Sequence, residues 1–69
     1  MGKVIIKLEK YLNDKNITRY ALSKATDIKF QTIDKYYKNK LIRYDSYILA
    51  KICEYLECNI EDILEYVKE

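Results

Sequence analysis

Residues 25–37 read Ala25-Thr26-Asp27-Ile28-Lys29-Phe30-Gln31-Thr32-Ile33-Asp34-Lys35-Tyr36-Tyr37 (ATDIKFQTIDKYY). The stretch has the pattern of a helix end, a three-residue turn and the start of a second helix. A turn that tight needs a residue with positive φ, ordinarily glycine. The sole glycine of the chain is Gly2, and proline is absent. Asp27 is the expected substitute, because the short side chains of Asp and Asn bond locally and let them enter the left-handed region. The same substitution is expected at Asn16 and Asn39, each placed where a helix must stop.

Outward from this turn the apolar residues follow a helical period. Ile5, Leu8 and Leu12 line a first helix, with Tyr11 beside them, and Asn13, Asp14 and Asn16 break it. Thr18 is a suitable N-cap for a short second helix whose Ala21, Leu22 and Ala25 face inward. A third begins near Lys29, turns Ile33, Tyr36 and Tyr37 toward the core, and ends at Lys38-Asn39-Lys40. Asp45 caps a fourth carrying Ile48, Leu49, Ile52, Cys53 and Leu56. Asn59 caps a fifth with the stripe Ile60, Ile63, Leu64 and Val67, and Glu61 and Asp62 lie in its first turn, where the macrodipole favours carboxylates. Five short helices in one domain over residues 1–69 define an all-α fold. A strand is the alternative for Lys3–Lys7, where Val4-Ile5-Ile6 is β-branched.

Composition narrows the chemistry. With 49% hydrophobic and 35% charged residues the chain has an ordinary globular balance. No apolar run approaches the roughly 18 residues of a membrane span, so no membrane partner is expected and the expected compartment is the cytoplasm. Histidine is absent. With it go the commonest general base and any Cys–His metal set, so neither an enzyme nor a metal or cofactor site is expected. Cys53 and Cys58 are read as buried thiols. The net charge of +2 is unevenly placed. Residues 15–43 hold eight Lys and Arg against two Asp, a net of +6. Residues 44–69 hold two Lys against seven carboxylates, a net of −5. The middle of the chain attracts a polyanion and the tail does not.

The spacing Leu8-x3-Leu12-x4-Ile17-Thr18-Arg19-Tyr20-Ala21-Leu22-Ser23-x3-Asp27-Ile28-x3-Thr32-Ile33 resembles the helix-turn-helix of Cro/cI-type phage repressors, the xenobiotic-response-element family. Leu49-x2-Ile52-Cys53-x2-Leu56-x-Cys58-x-Ile60-x-Asp62-Ile63-Leu64 is similar to the last two helices of its small single-domain members, and the likeness runs over residues 5–67. The resemblance implies a lambda-repressor-like DNA-binding domain whose helices 2 and 3 form the motif. The third helix would lie in the major groove of double-stranded DNA.

Carried over position by position, Phe30, Gln31 and Lys35 are expected to reach base edges, with Asp34 near the groove. Gln31 suits adenine, Lys35 suits guanine, and Phe30 suits thymine methyls. Asp34 has a second reading as a surface charge paired with Lys38 at i+4. Backbone contacts are expected from Thr18 and Arg19 at the start of the second helix, from Lys29 at the uncapped start of the third, and from Tyr37, Lys38, Lys40 and Arg43 after it. The resemblance also implies a homodimer on a palindromic operator, acting as a transcriptional regulator of the repressor kind. The acidic C-terminal half, with Tyr47, Tyr55 and Tyr66, is the expected surface for self-association or a protein partner. The alternative function is a protein-interaction module, such as an antitoxin or antirepressor on the same fold.

Overall fold

The computed structural model describes residues 2–68. Its elements in chain order are β1 (Lys3–Ile6), α1 (Leu8–Asp14), α2 (Arg19–Thr26), α3 (Phe30–Tyr37), α4 (Ser46–Leu56), α5 (Ile60–Ile63) and β2 (Leu64–Val67). The five expected helices are present. The two ends of the chain add an antiparallel ribbon, in register Lys3↔Val67 through Ile6↔Leu64.

The ribbon corrects two assignments. Ile5 lies in β1, so α1 carries only Leu8 and Leu12 as buried residues. The fifth helix stops after four residues at Ile63, and Leu64 and Val67 belong to β2. Four residues cannot show a period of their own. The β-branched Val-Ile-Ile run gains a ladder only by meeting a segment about sixty positions away, and that pairing outweighs the helical continuation of α5. A third correction concerns α2: Ala25 is exposed, and Thr26 takes the buried place. The Thr26 hydroxyl donates to the Leu22 carbonyl oxygen at 2.7 Å, so its polar group is satisfied inside the core.

The core consists of Ile6, Leu8, Leu12, Leu22, Ile33, Tyr36, Ile52 and Ile63, drawn from every element except β2. Helix ends follow the capping logic. Thr18 Oγ1 accepts from the Ala21 N–H at 3.0 Å, and Asp45 Oδ1 accepts from Tyr47 and Ile48 at 2.9 and 3.1 Å. The Asp62 carboxylate accepts from the Asn59 N–H at 2.8 Å. Asn16, Asp27 and Asn39 all adopt positive φ (58°, 60° and 58°), as their place in the sequence requires. A fourth such residue, Glu57 (φ 54°), ends α4. After α1, α3 and α4 the paired 6→1 and 5→2 bonds of a Schellman turn are made, as in Lys40 N–H to Lys35 O (3.1 Å) with Asn39 N–H to Tyr36 O (3.3 Å).

Asn39 does more than turn the chain. Its Oδ1 accepts from the Ile6 N–H at 3.0 Å, tying the end of α3 to the edge of β1. That bond explains why asparagine serves here where glycine would turn equally well. Asn39→Gly keeps the backbone conformation but leaves a part-buried N–H unmet, at an expected cost of about 1–3 kcal/mol. Asn39→Ala is expected to cost roughly 1 kcal/mol more, from the left-handed backbone. Urea midpoints of the two variants check both values. Equal stability of wild type and Asn39→Gly would remove the bond from this account.

Candidate nucleic-acid interface

The α2–turn–α3 unit is held by short polar contacts. Ser23 Oγ donates to the Ile28 carbonyl at 2.6 Å across the turn. The Ile28 N–H reaches Thr26 Oγ1 at 3.4 Å. Lys51, from α4, donates to the Thr26 carbonyl at 3.1 Å and so meets the negative end of α2. Beneath them Leu22 and Ile33 are fully buried and fix α3 on α2. After α3, the Tyr36 hydroxyl accepts from the Asp45 N–H at 2.9 Å, and the Tyr36 ring packs against Tyr44 with centroids 6.0 Å apart. The loop from Lys38 to Tyr44 is thereby anchored at both ends.

With Ile33 and Tyr36 turned inward, α3 presents two outer stripes. One is Gln31 and Lys35, four residues apart and both exposed. Neither makes a side-chain hydrogen bond or ion pair among the described residues. The other is Phe30, Asp34 and Tyr37, and Arg19 from α2 lies over it. The Arg19 guanidinium sits 4.4 Å from the Tyr37 ring centroid and 5.7 Å from that of Phe30, and it bonds the Asp34 carboxylate. Lys38 reaches the other oxygen of the same carboxylate at 3.1 Å. Tyr37 in turn approaches Asn13 Oδ1 through its hydroxyl at 3.4 Å.

The hydrogen bond from Lys38 holds the Asp34 carboxyl below the usual carboxylate range; partial burial opposes this, and Arg19 adds to it. Its folded value being depressed, the stability from these pairs is present above the ordinary value of 3.8 and is lost only as pH falls through the depressed one.

The sequence-derived residues therefore separate. Phe30 is 43% exposed, with its ring flanked by Arg19. Gln31 and Lys35 stand free, and Asp34 is engaged by two cations. Thr18, Lys29, Lys38, Lys40 and Arg43 are exposed, whereas Arg19 and Tyr37 are half-buried in the cluster. Lys29 holds the N-cap position of α3 and supplies no side-chain cap. Ile42, 97% exposed between Lys40 and Arg43, is the residue of this surface that sequence reasoning passed over. Its signal was a lone β-branched residue in a run of cations. Elsewhere, Cys53 and Cys58 are free, half-buried thiols, and burial followed by the neighbouring Cys53 pushes the Cys58 thiol up to about 11. Among the described residues no group of three His, Cys, Asp or Glu side chains is placed to hold a metal, and no helix is long and apolar enough to cross a membrane.

This arrangement is that of a helix-turn-helix unit, and comparison with known proteins gives it a family. Residues 7–69 match the Cro/C1-type HTH DNA-binding domain, and the chain belongs to that family. The transcriptional regulator VanUg is 32% identical, with a TM-score of 0.74 over 96% of this chain and 89% of its own. A protein from Bacteroides fragilis, solved as a candidate DNA-binding protein, shares the fold at 19% identity, with a TM-score of 0.79 over 91% of this chain and all of its own. Among curated proteins, none matches this chain in sequence.

Proposed function

We infer that the protein is a sequence-specific regulator of transcription, of the repressor kind, that docks α3 in the major groove of double-stranded DNA. The observation that carries this reading is the free Gln31–Lys35 stripe on α3, flanked by the exposed cations Lys29, Lys38, Lys40 and Arg43 on a family fold built for the groove. Gln31 reads adenine N6 and N7 and Lys35 reads guanine O6 or N7, with Phe30 against thymine methyls at the rim. Asp34 stands near the groove edge. Thr18, Lys29, Tyr37, Lys40 and Arg43 face the phosphates, and Arg19 and Lys38 stand beside them, engaged by Asp34 until the groove draws them to the backbone. VanUg, described as a transcriptional regulator, lends the reading support.

One α3 spans too few base pairs for a useful address, so the protein acts as a homodimer on a palindrome with half-sites about one turn apart. The exposed Tyr47, Tyr55 and Tyr66 of the acidic half supply the aromatic surface for that contact or for a protein partner.

Selection of duplexes from a random pool, at two salt concentrations, tests the reading. The expected result is a short enriched palindrome whose affinity falls steeply as salt rises. Salt-dependent binding with no enriched sequence would reduce the function to nonspecific association and turn attention to the protein-interaction alternative.

A further inference from the structure

The segment 15–43 contains two carboxylates, Asp27 and Asp34, against eight cations. Asp27 is used for its backbone, at the left-handed position of the turn. Asp34 has no such duty. It lies on an outer stripe of the recognition helix, where a carboxylate repels phosphate, and it bonds one cation with each oxygen: Arg19 through Oδ1 and Lys38 through Oδ2. These are the only ion pairs of the basic segment among the described residues; the third pair of the fold, Lys10–Asp14, lies in α1. Arg19 is further restrained by its stacking on Tyr37.

A side chain placed to strengthen a surface pair would gain little at this exposure, since half-exposed pairs are worth a fraction of a kcal/mol. The consequence for a polyanion is larger. Each cation that neutralises a phosphate contributes about 0.9 to the slope of log affinity against log salt, or roughly tenfold in affinity at 0.1 M. A single carboxylate that withholds two cations removes up to two such contributions.

We propose that Asp34 is a specificity-determining positioning residue: it holds Arg19 and Lys38 away from phosphate and so keeps the protein's binding to nonspecific DNA weak. The proposal rests on the DNA-binding reading above. On it, Lys29, Lys40 and Arg43 make the sequence-independent contacts, and Arg19 and Lys38 become available only when an acceptor in the groove draws them off the carboxylate.

The test is titration of the full chain against a labelled nonspecific duplex of about 20 base pairs over a range of salt. Asp34→Asn is expected to bind more tightly, by about 10- to 100-fold at 0.1 M salt, with a slope steeper by about 0.9–1.8. Asp34→Ala is the second variant. It removes the same pairs while favouring the helix, and a gain of binding cannot be imitated by partial unfolding. Lys40→Gln is the reference and is expected to flatten the wild-type slope by about 0.9. Unchanged or weaker binding by a folded Asp34 variant, beside a wild type that binds and a Lys40→Gln that weakens, overturns the proposal and leaves the DNA reading standing. If neither wild type nor either Asp34 variant binds this duplex at low salt, the proposal falls, and operator selection decides the DNA reading separately.

Discussion

Ile33→Ala is expected to remove most of the stability of the fold. Ile33 is fully buried on the inner face of α3, one turn before Tyr36 and in the same core as Leu22 of α2. Truncating such a side chain costs about 2–5 kcal/mol, because the transfer term is joined by a cavity that the neighbours fill only in part. A 69-residue domain has on the order of 3–10 kcal/mol in total. The thermal midpoint should therefore fall by about 10–30 °C. Little can relax to close the gap, since the turn on one side is fixed by the Ser23–Ile28 bond and the loop on the other by Tyr36 and Asp45. Ala25→Ser is the matched contrast: the same α2–α3 region, but an exposed site, with an expected change within about 0.5 kcal/mol. Calorimetry or circular dichroism melts of the two variants decide the matter. A midpoint that moves by less than a few degrees in Ile33→Ala would show that α3 is not held through this side chain.

The helix stops were legible from residue type alone. Asn16, Asp27 and Asn39 stand where glycine would serve, and all three take positive φ. Glu57 does so as well but gave no sign, because glutamate has no short side chain to stabilise that conformation locally. It is placed there by the Schellman bonds from Cys58 and Glu57 that close α4 before the Asn59 cap. The N-caps Thr18 and Asp45 could be read in the same way, since each needs only its own side chain and the next turn.

Features that depend on distant segments were not legible. β2 continues the apolar spacing of α5 through Leu64 and Val67, and only the arrival of β1 decides that it is a strand. The site behaves likewise. That Phe30 lies off the Ile33–Tyr36 face follows from helical period. That Arg19 crosses to the Phe30–Asp34–Tyr37 stripe depends on the angle between α2 and α3, which no single segment encodes.

Gln31→Ala and Lys35→Ala are expected to lower affinity for the selected operator by about 1–3 kcal/mol each, roughly 5- to 150-fold, while leaving the melting temperature nearly unchanged. The two effects separate because neither side chain bonds to the rest of the protein among the described residues, so their removal disturbs no internal contact. They should also separate from each other. Gln31 is neutral, so its loss relaxes the preference at an adenine and keeps the salt slope of wild type. On the proposed docking Lys35 carries charge into the groove, so its loss is expected to relax a guanine position and to flatten the slope by no more than about 0.9. Being one turn apart on the same stripe, the pair is expected to depart from additivity in the double variant. A cation beyond the stripe should give the opposite signature: Lys40→Gln is expected to weaken all sequences alike. Operator selection repeated with each variant distinguishes these patterns position by position. Preferences that survive in both Gln31→Ala and Lys35→Ala would move base reading off this stripe, to Phe30 and the basic loop around Ile42, even with α3 in the groove.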